Sequence, residues 1–445
     1  MHLAAFASRR GYATVAATAR GMTPSSGESA HRIVIVGSGA AGSSIGHQLL
    51  NSGRFQPNDI SIIDPSKWHH YQPGWTMVGA GLKDKNSIRR QMNEIVDKKI
   101  ALYKSSVCHF APENNEVTMS DGTRLQYEHL IIAPGIEVKF HKVRGLPELL
   151  ADKDAPVASI YSYNYCDKVF DVIRNTKKGH AVFTQPTGII KCAGAPQKIM
   201  WLALDYWKKH NLYTPNDASP IRISFNTGLG QMFGVQRYSK TLDYLRKKRN
   251  VQGNFARNLV AIEADHAVFQ TSTSASGAPS REFRERFDML HAVPPMGPWD
   301  FVTQSPFADA DGLVSVDPAT LQHTKFKNVW SAGDASSLPT SKTAAAVTKQ
   351  APVLVRNLLQ SIDHKALDAQ YSGYTSCPIP TEYGKLVLAE FAYNGVPMET
   401  FKTLYDQSKP QRAFYYLKRD FFPWVYLNFM IKGLWGGPSG FSKAV

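Results

Sequence analysis

The sequence predicts an α/β protein with two tandem Rossmann-like domains and a C-terminal amphipathic tail that associates with a membrane. Three observations predict this fold class. A β-branched run at residues 33–36 leads into a glycine-rich turn and a helical pattern. A second run, at residues 179–184, leads into another turn and helix, and strands that alternate with helices are typical of parallel sheets. Residues 381–445 are rich in aromatic side chains, which predicts the tail.

The composition is that of a globular protein and excludes several classes. The chain has 445 residues, of which 43% are hydrophobic and 20% are charged; at roughly 100–200 residues per domain it holds two to four domains. Its four cysteines exclude a disulfide-stapled scaffold. The sequence has no uninterrupted run of about 18 apolar residues, so it does not predict a membrane-spanning helix. The formal charge of +15 fits a nucleic-acid surface, attraction to anionic lipid headgroups, or a surface that merely keeps the protein in solution.

The N-terminal residues 1–27 predict a mitochondrial transit peptide. They contain no Asp or Glu, and they carry Arg9, Arg10 and Arg20 among many Ala, Ser and Thr residues. A basic, acid-poor start is typical of transit peptides, and residues 10–12 resemble a matrix-protease cleavage site. The alternative is a disordered N-terminus. We therefore expect a mitochondrial protein whose fold begins after this segment.

The first strand–turn–helix unit predicts a dinucleotide cradle. The turn has the pattern G-x-G-x-x-G, and a second β-branched strand at residues 60–63 ends in an aspartate. Glycines permit a tight turn and let backbone N–H groups approach a pyrophosphate at the helix N-terminus. The carboxylate accepts hydrogen bonds from ribose hydroxyls. The predicted binding residues are Gly37, Gly39, Ala40, Ala41, Gly42 and Asp64.

Two later strands indicate which dinucleotide is bound. Residues 130–135 end in Ala-Pro-Gly, and residues 328–334 end in Gly-Asp. Together with the first cradle they resemble the flavoproteins that have two dinucleotide-binding domains. That resemblance implies FAD as the cofactor and Asp334 as a ligand of its ribityl and phosphate region. Asp334 also follows a predicted strand, where ligands bind in open α/β sheets; the alternative for this residue is a helix cap.

The second Rossmann-like unit lacks a glycine fingerprint and contains a cysteine instead. Residues 185–198 carry no G-x-G-x-x-G, which argues against a pyridine nucleotide there. Cys192 lies beside Lys191 and precedes a helix predicted to begin near Pro196, and both features favour the thiolate. The alternative is a buried, inert cysteine.

The other three cysteines lie in different contexts. Cys108 follows a predicted strand and Cys166 lies in an aromatic stretch, so we expect both to be structural. Cys377 lies in Ser-Cys-Pro-Ile-Pro, far from Cys192 along the chain. Spacing alone therefore does not show that Cys192 and Cys377 meet.

Several blocks together resemble the mitochondrial sulfide:quinone oxidoreductases, from about residue 31 to the C-terminus. The most specific are YQPGW at 71–75 and KCAGAPQK at 191–198; the others include VPPMGP, SAGDASSLPTSKTAAAV and SCPIP. The resemblance implies that Cys192 and Cys377 form a redox-active bridge beside FAD. By the same resemblance, hydrogen sulfide is expected to attack this bridge, Cys377 to retain the sulfane sulfur and Cys192 to donate to the flavin. Ubiquinone is then expected to receive two electrons, and glutathione or sulfite to take the sulfur. The FAD contacts that the resemblance implies are Ala40, Ala41, Asp64, Gln72, Val107, Asp334, Lys342, Thr343, Ala344 and Ala345.

The C-terminal residues predict a region at a membrane surface. Pro423 is expected to break any single helix, and Asn428 and Lys432 interrupt the apolar run. We therefore expect monotopic association with the mitochondrial inner membrane at the level of the headgroups, which suits reduction of a lipid-soluble quinone. Phe391 is a candidate for the quinone pocket, although no spacing of residues in the sequence supports this choice. The alternative is a hydrophobic tail packed in the interface of a homodimer.

The expected organisation returns to the flavin domain after the cysteine-bearing domain. Residues 271–280, rich in Ser, Thr, Ala and Gly, predict a flexible hairpin or loop. The expected segments are a transit peptide at 1–27, FAD-binding segments at 31–150 and 291–375, the domain carrying Cys192 at 151–290, and a quinone and membrane region at 376–445.

Three other functions remain open at this point. An NADH:quinone reductase of the same fold needs the second glycine fingerprint, which is absent. A non-catalytic basic flavoprotein needs clustered basic residues, and the basic triplet at residues 247–249 is more simply a solvated helix end, so we expect no nucleic-acid partner. A sulfide dehydrogenase that passes electrons to a haem subunit is disfavoured, because the C-terminal tail is predicted to associate with a membrane. No metal is expected, because the adjacent His69 and His70 have no partner at ligand spacing.

Overall fold

The computed structural model of the chain describes residues 28–271 and 280–441. The predicted transit peptide lies outside the described residues, as does nearly all of the loop predicted at 271–280. Two antiparallel strands, His266–Thr271 and Glu282–Arg286, flank that loop.

The first sheet has seven strands, and its centre is parallel. Strand Glu28–Val36 pairs along its length with Arg124–Ile132 and, on its other side, with Ile60–Ile63. The β-branched residues of these strands are buried, as expected for strands covered on both faces. Strand Val329–Ser331 arrives from much later in the chain and pairs with the C-terminal end of Arg124–Ile132. The remaining strands of this sheet are Ala101–Tyr103, Val107–Ala111 and Glu116–Met119.

The second sheet has five parallel strands and its own core. Helix Ala195–Lys209 crosses from strand Gly179–Gln185 to strand Ile221–Thr227 and is buried along most of its length. A three-stranded antiparallel sheet, which includes Arg257–Glu263, packs against one side of this domain. The order of the five strands is Val157–Ala158, Met289–His291, Gly179–Gln185, Ile221–Thr227 and Gln252–Phe255.

Further helices and short strands complete the two domains. Besides Ala195–Lys209, the helices of eight or more residues are Ala40–Asn51, Lys168–Asn175, Gln236–Lys248 and Ala344–Ile362. The short helices are Trp75–Val78, Met92–Ile95, Leu146–Ala151 and Asp300–Thr303. The short strands pair as Trp68–His70 with Arg89–Gln91 and Glu137–Val138 with Met296–Gly297.

A hairpin of strands Thr375–Glu382 and Lys385–Phe391 links the second domain to the C-terminal residues. Side chains alternate across a strand pair. Cys377 and its neighbours on one face therefore pack against helix Ala195–Lys209, while Leu388 on the other face packs near Phe414.

The last described part of the C-terminal tail, residues 412–441, begins with one continuous helical run. Helix Arg412–Tyr416 passes through a π-turn, Leu417–Phe421, into helix Phe422–Asn428. The expectation that Pro423 breaks the helix is wrong, because the wider π-turn relieves the clash between a proline ring and the preceding turn. Pro423 then lies at the start of the last helix, where no N–H is needed. Within the described ranges, no helix is long and apolar enough to cross a membrane.

Candidate active site

A cavity of about 670 Å³ lies at the carboxyl ends of the parallel strands of the first sheet. It extends from the glycine turn to the start of helix Ala195–Lys209 and to the C-terminal tail. This edge is where open α/β sheets bind ligands. The sequence-predicted residues that line the cavity are Gly37, Gly39, Ala40, Ala41, Asp64, Gln72, Cys192, Asp334, Lys342, Thr343, Ala344 and Ala345.

The glycine turn is built so that backbone borders the cavity. Gly37 has a φ of +94°, and a Cβ there would lie 2.6 Å from the carbonyl oxygen of Ala133. A Cβ on Gly42 would lie 1.8 Å from the carbonyl oxygen of Gly37, so Gly42 closes the turn without lining the cavity. A Cβ on Gly39 would meet no atom within 4 Å, which leaves open space beside the N-terminus of helix Ala40–Asn51. No side chain caps that N-terminus, so an anion can occupy it.

Asp64 is held at the end of strand Ile60–Ile63 by two backbone donors. Its Oδ2 accepts a hydrogen bond from the Ser38 N–H at 2.6 Å, and its Oδ1 accepts one from the Ser66 N–H at 2.8 Å. The carboxylate therefore links the glycine turn to the second strand. It borders the cavity in the position predicted for a ribose ligand.

Three charged groups, Asp334, Lys191 and Lys342, line the cavity and influence one another's ionisation. Burial raises the pKa of Asp334, and the positive charges of Lys191 and Lys342 oppose that rise. Burial lowers the pKa of Lys342 to about 8, and its Nζ donates to the carbonyl oxygens of Ser336 at 2.6 Å and Leu338 at 3.2 Å. Lys191 Nζ donates to Gln72 Oε1 at 3.2 Å.

Thr343 begins the long helix Ala344–Ile362, whose first residues also line the cavity. Its hydroxyl accepts a hydrogen bond from the Ala346 N–H at 3.0 Å. A helix N-terminus carries partial positive charge. The residues from Thr343 to Ala345 therefore present partial positive charge to whatever occupies the cavity.

Two unpaired polar atoms indicate that this cavity accepts a polar ligand. Trp75 Nε1 and His70 Nδ1 are buried and have no hydrogen-bond partner within the described part of the chain, and both residues line the cavity. Unsatisfied buried polar atoms are rare and call for a partner. With the glycine turn and Asp64, they fit a dinucleotide that carries a polar ring system.

Cys192 and Cys377 come together at the far wall of this cavity. Their Sγ atoms are 3.0 Å apart, although nothing in the sequence spacing predicted the contact. Cys192 lines the cavity, whereas Cys377 is fully buried behind it. A Cβ on Gly194 would lie 2.8 Å from Cys377 Sγ, so glycine at this position lets the hairpin approach. Cys192 adopts a φ of +82°, which is rare for a residue with a side chain.

Two lysines that the sequence analysis did not assign surround the cysteine pair. Lys198 Nζ, fully buried, donates to Cys192 Sγ at 3.1 Å. Lys418, from the π-turn of the tail, is also buried and lines the cavity. Lys198 lies in the KCAGAPQK block, one turn into the helix that follows Cys192, so helical geometry could have pointed to it. No local signal indicated Lys418.

This environment polarises the cysteine pair. The hydrogen bond from Cys377 lowers the pKa of Cys192 well below its usual value; burial opposes this effect, and Lys198 reinforces it. The same hydrogen bond, together with burial, raises the pKa of Cys377. Burial and the neighbouring charge of Lys198 lower the pKa of Lys418 to about 7. Cys192 is therefore the more acidic thiol of the pair.

Val107 and Phe391, two other predicted site residues, do not line the cavity. Val107 is buried within the first sheet. The Phe391 ring packs against that of Phe233, with centroids 5.9 Å apart. Since adjacent residues of a strand face opposite sides, it is the neighbouring Glu390 that lines the cavity.

The remaining two cysteines differ from the pair. Cys166 is buried, and burial raises its pKa to about 12, so it is an inert thiol in the core. Cys108 is exposed, and its Sγ donates to the Thr118 carbonyl at 3.4 Å. Within the described ranges, no cluster of three His, Cys, Asp or Glu residues could hold a metal ion.

Two Rossmann-like sheets, a glycine turn aimed at one cavity and a polarised cysteine pair in that cavity define a flavin-linked disulfide oxidoreductase. Residues 31–173 match the pyridine nucleotide-disulphide oxidoreductase family, which agrees with this class. The match covers the glycine turn, Asp64 and the central strands of the first sheet.

Relatives of nearly full length specify the family. The chain is 44% identical over 434 residues to the mitochondrial sulfide:quinone oxidoreductase of Schizosaccharomyces pombe, covering 92% of each chain. It is 44% identical over 413 residues to that of Dictyostelium discoideum, covering 91% of this chain and 87% of the relative. The structure of the sulfide:quinone oxidoreductase from Aquifex aeolicus shares the fold, with a TM-score of 0.72 at 17% identity over 89% of this chain and 92% of that one. The chain belongs to the mitochondrial sulfide:quinone oxidoreductase family, which confirms the resemblance seen in the sequence, and its relatives imply a flavin cofactor.

Proposed function

We propose that the protein oxidises hydrogen sulfide with the Cys192–Cys377 pair and FAD, and passes two electrons to ubiquinone. The observation that carries this proposal is the 3.0 Å approach of the two sulfurs on the wall of the cavity that contains the dinucleotide cradle. A polarised dithiol beside a flavin site is the arrangement needed to move an electron pair from sulfur to the cofactor.

The sulfur chemistry follows from the polarisation of the pair. When Cys192 and Cys377 are joined as a disulfide, hydrosulfide attacks Cys377 Sγ, forms an S–S bond with it and breaks the bond to Cys192. Cys377 then holds the sulfane sulfur as a persulfide, and Cys192 leaves as a thiolate that carries the electron pair. Lys198, which donates to Cys192 Sγ at 3.1 Å, stabilises that leaving thiolate. Once an acceptor has taken the sulfane sulfur, the Cys377 thiolate re-forms its bond to Cys192 and two electrons are released. A bound FAD would supply the acceptor for those two electrons.

The chain's own residues hold FAD in this scheme. The glycine turn and the N-terminus of helix Ala40–Asn51 receive the pyrophosphate, and Asp64 accepts from the adenosine ribose. Asp334 accepts from the ribityl chain, while Lys342 lies where it offsets negative charge on a reduced ring. Trp75 Nε1 and His70 Nδ1, unpaired within the described residues, find partners on the cofactor.

The sulfane sulfur passes to a small anionic acceptor such as glutathione or sulfite. Lys198 and Lys418 both approach the cysteine pair from inside the cavity, and buried positive charge favours anions over neutral thiols. Lys418 is charged below its pKa of about 7, so its attraction for the acceptor is greatest at low pH.

The quinone enters through the aromatic end of the cavity. Phe421, Phe422, Trp435 and Phe441 of the C-terminal tail line that end, and they replace Phe391 as candidates for quinone contact. Trp424 and Phe441 of the same tail are about half exposed. Exposed aromatic residues around an apolar opening suit peripheral association with the mitochondrial inner membrane.

Stopped-flow absorbance of the purified flavoprotein tests this proposal. Anaerobic mixing with sulfide should bleach the flavin in the wild type and in Cys108→Ser, which removes an exposed cysteine outside the cavity. Bleaching should be lost in Cys192→Ser and in Cys377→Ser. Bleaching by NADH without a response to sulfide would instead support a pyridine-nucleotide reductase.

A further inference from the structure

The C-terminal tail packs directly on the helix that opens the dinucleotide cradle. Ser44 Oγ, on helix Ala40–Asn51, donates to the Met430 carbonyl oxygen at 3.1 Å. Asn51 Nδ2, at the end of the same helix, donates to the Lys432 carbonyl oxygen at 2.9 Å. The two contacts join segments that are nearly the whole chain apart in sequence, and they attach the tail along the length of the cradle helix.

A chain of hydrogen bonds continues from the tail to the glycine turn and Asp64. Tyr426 OH and His69 Nε2 are 2.9 Å apart, and His69 Nδ1 and the Ser38 carbonyl oxygen are also 2.9 Å apart. The Ser38 N–H in turn donates to Asp64 Oδ2 at 2.6 Å. His69 and Tyr426 are buried and both line the cavity.

The direction of these hydrogen bonds is fixed by chemistry. Burial lowers the pKa of His69 to about 4, so the imidazole is neutral at physiological pH and has one donor and one acceptor nitrogen. A carbonyl oxygen can only accept, so Nδ1 carries the hydrogen and donates to Ser38. Nε2 must then accept from the Tyr426 hydroxyl, which makes that hydroxyl its required partner.

We propose that Tyr426 and His69 are positioning residues that make the C-terminal tail part of the flavin site. Tail docking holds Ser38 and the glycine turn in the shape that receives the cofactor's pyrophosphate, and bound flavin in turn holds the tail in place. The inference rests on the proposed assignment of FAD to this cavity. Because binding free energies are coupled in both directions, flavin retention and tail docking must strengthen each other to the same extent.

Flavin release from the holoenzyme provides the first test. After dilution, the rise in free-flavin fluorescence should be about tenfold faster in Tyr426→Phe than in the wild type, because the buried Nε2 of His69 loses its donor. Tyr416→Phe is the matched control, since Tyr416 lies in the same tail but is half exposed. Equal release rates for Tyr426→Phe and the wild type would overturn the inference.

Hydrogen exchange of the tail provides the reciprocal test, which a purely structural role of Tyr426 would not affect. Peptides that cover residues 412–432 should exchange more slowly in the holoenzyme than in protein stripped of flavin, and Tyr426→Phe should reduce that difference. Tail exchange that is independent of flavin would overturn the inference alone. A wild-type protein that takes up no FAD would overturn the FAD assignment as well, so the two failures are distinguishable.

Discussion

Replacing Lys198 by methionine removes the buried ammonium group that faces the Cys192 thiolate. Methionine is close to lysine in length and is apolar, so the helix can keep its packing while the charge and the donor are lost. We expect the pKa of Cys192 to rise and the fraction of thiolate at neutral pH to fall. Reduction of the bound flavin by sulfide should slow accordingly.

The magnitude follows from the 3.1 Å distance between Lys198 Nζ and Cys192 Sγ. At an effective dielectric constant of about 20, two opposite charges at that distance attract by about 5 kcal/mol. Lost hydration of two buried ions cancels much of this attraction, and a hydrogen bond to a charged group contributes about 1.5–3 kcal/mol net. A loss of that size corresponds to a roughly 10- to 150-fold smaller equilibrium constant for ionisation of the Cys192 thiol.

The pH profile of Cys192 alkylation in the reduced protein measures this change directly. Iodoacetamide labelling of Cys192, quantified by peptide mass spectrometry, should shift to higher pH in Lys198→Met. Lys209→Met is the matched control, because Lys209 lies on the same helix but is half exposed and pairs with Asp205. Lys198→Arg keeps the charge and should retain most of the wild-type profile. A wild-type profile in Lys198→Met would refute the reasoning.

Three further outcomes follow from the structure. Gly37→Ala should abolish flavin binding, because a Cβ at Gly37 would lie 2.6 Å from the Ala133 carbonyl oxygen; the flavin absorbance of the purified variant checks this, and normal absorbance would contradict it. Sulfur transfer to sulfite should slow as the pH rises through about 7, where Lys418 loses its proton. Lys418→Met should flatten that part of the steady-state pH profile. An unchanged profile in this variant would exclude a role for Lys418 in attracting the acceptor. Trp424→Ala removes a half-exposed indole and should weaken binding to phospholipid vesicles about tenfold in a flotation assay. Tyr244→Ala, which removes an exposed ring from helix Gln236–Lys248, serves as its control. Equal losses of vesicle binding in both variants would argue against a specific membrane face.

The dinucleotide cradle could be predicted because its determinants are local. The glycine turn, the strand before it and the helix after it lie within about twenty residues, and each has a compositional signature. Asp334 was also within reach, because it ends the segment 328–334 that the sequence predicts as a strand leading into Gly-Asp. These residues line the cavity, apart from Gly42, whose role lies in closing the turn.

The surroundings of the cysteine pair depend on contacts between distant segments. The hairpin places Cys377 behind Cys192, and the tail contributes Lys418, so neither follows from local periodicity. The resemblance to a family supplied the pairing where the residues could not. Phe391 lies away from the cavity because a strand alternates its faces. Both Phe391 and Glu390 are buried, so the sequence could not show which of the two borders the cavity.

The left-handed backbone at Cys192 has an evolutionary consequence. Only glycine adopts this conformation without strain, and a residue with a Cβ is destabilised there by about 1 kcal/mol. Cys192→Gly would relieve this strain, but it would leave the buried Lys198 ammonium without its partner, which costs about 1.5–3 kcal/mol. The strained cysteine is therefore more stable than glycine as long as Lys198 is present. A lineage that has lost its source of sulfide is accordingly expected to change both positions together, with glycine replacing Cys192 only where an apolar residue replaces Lys198.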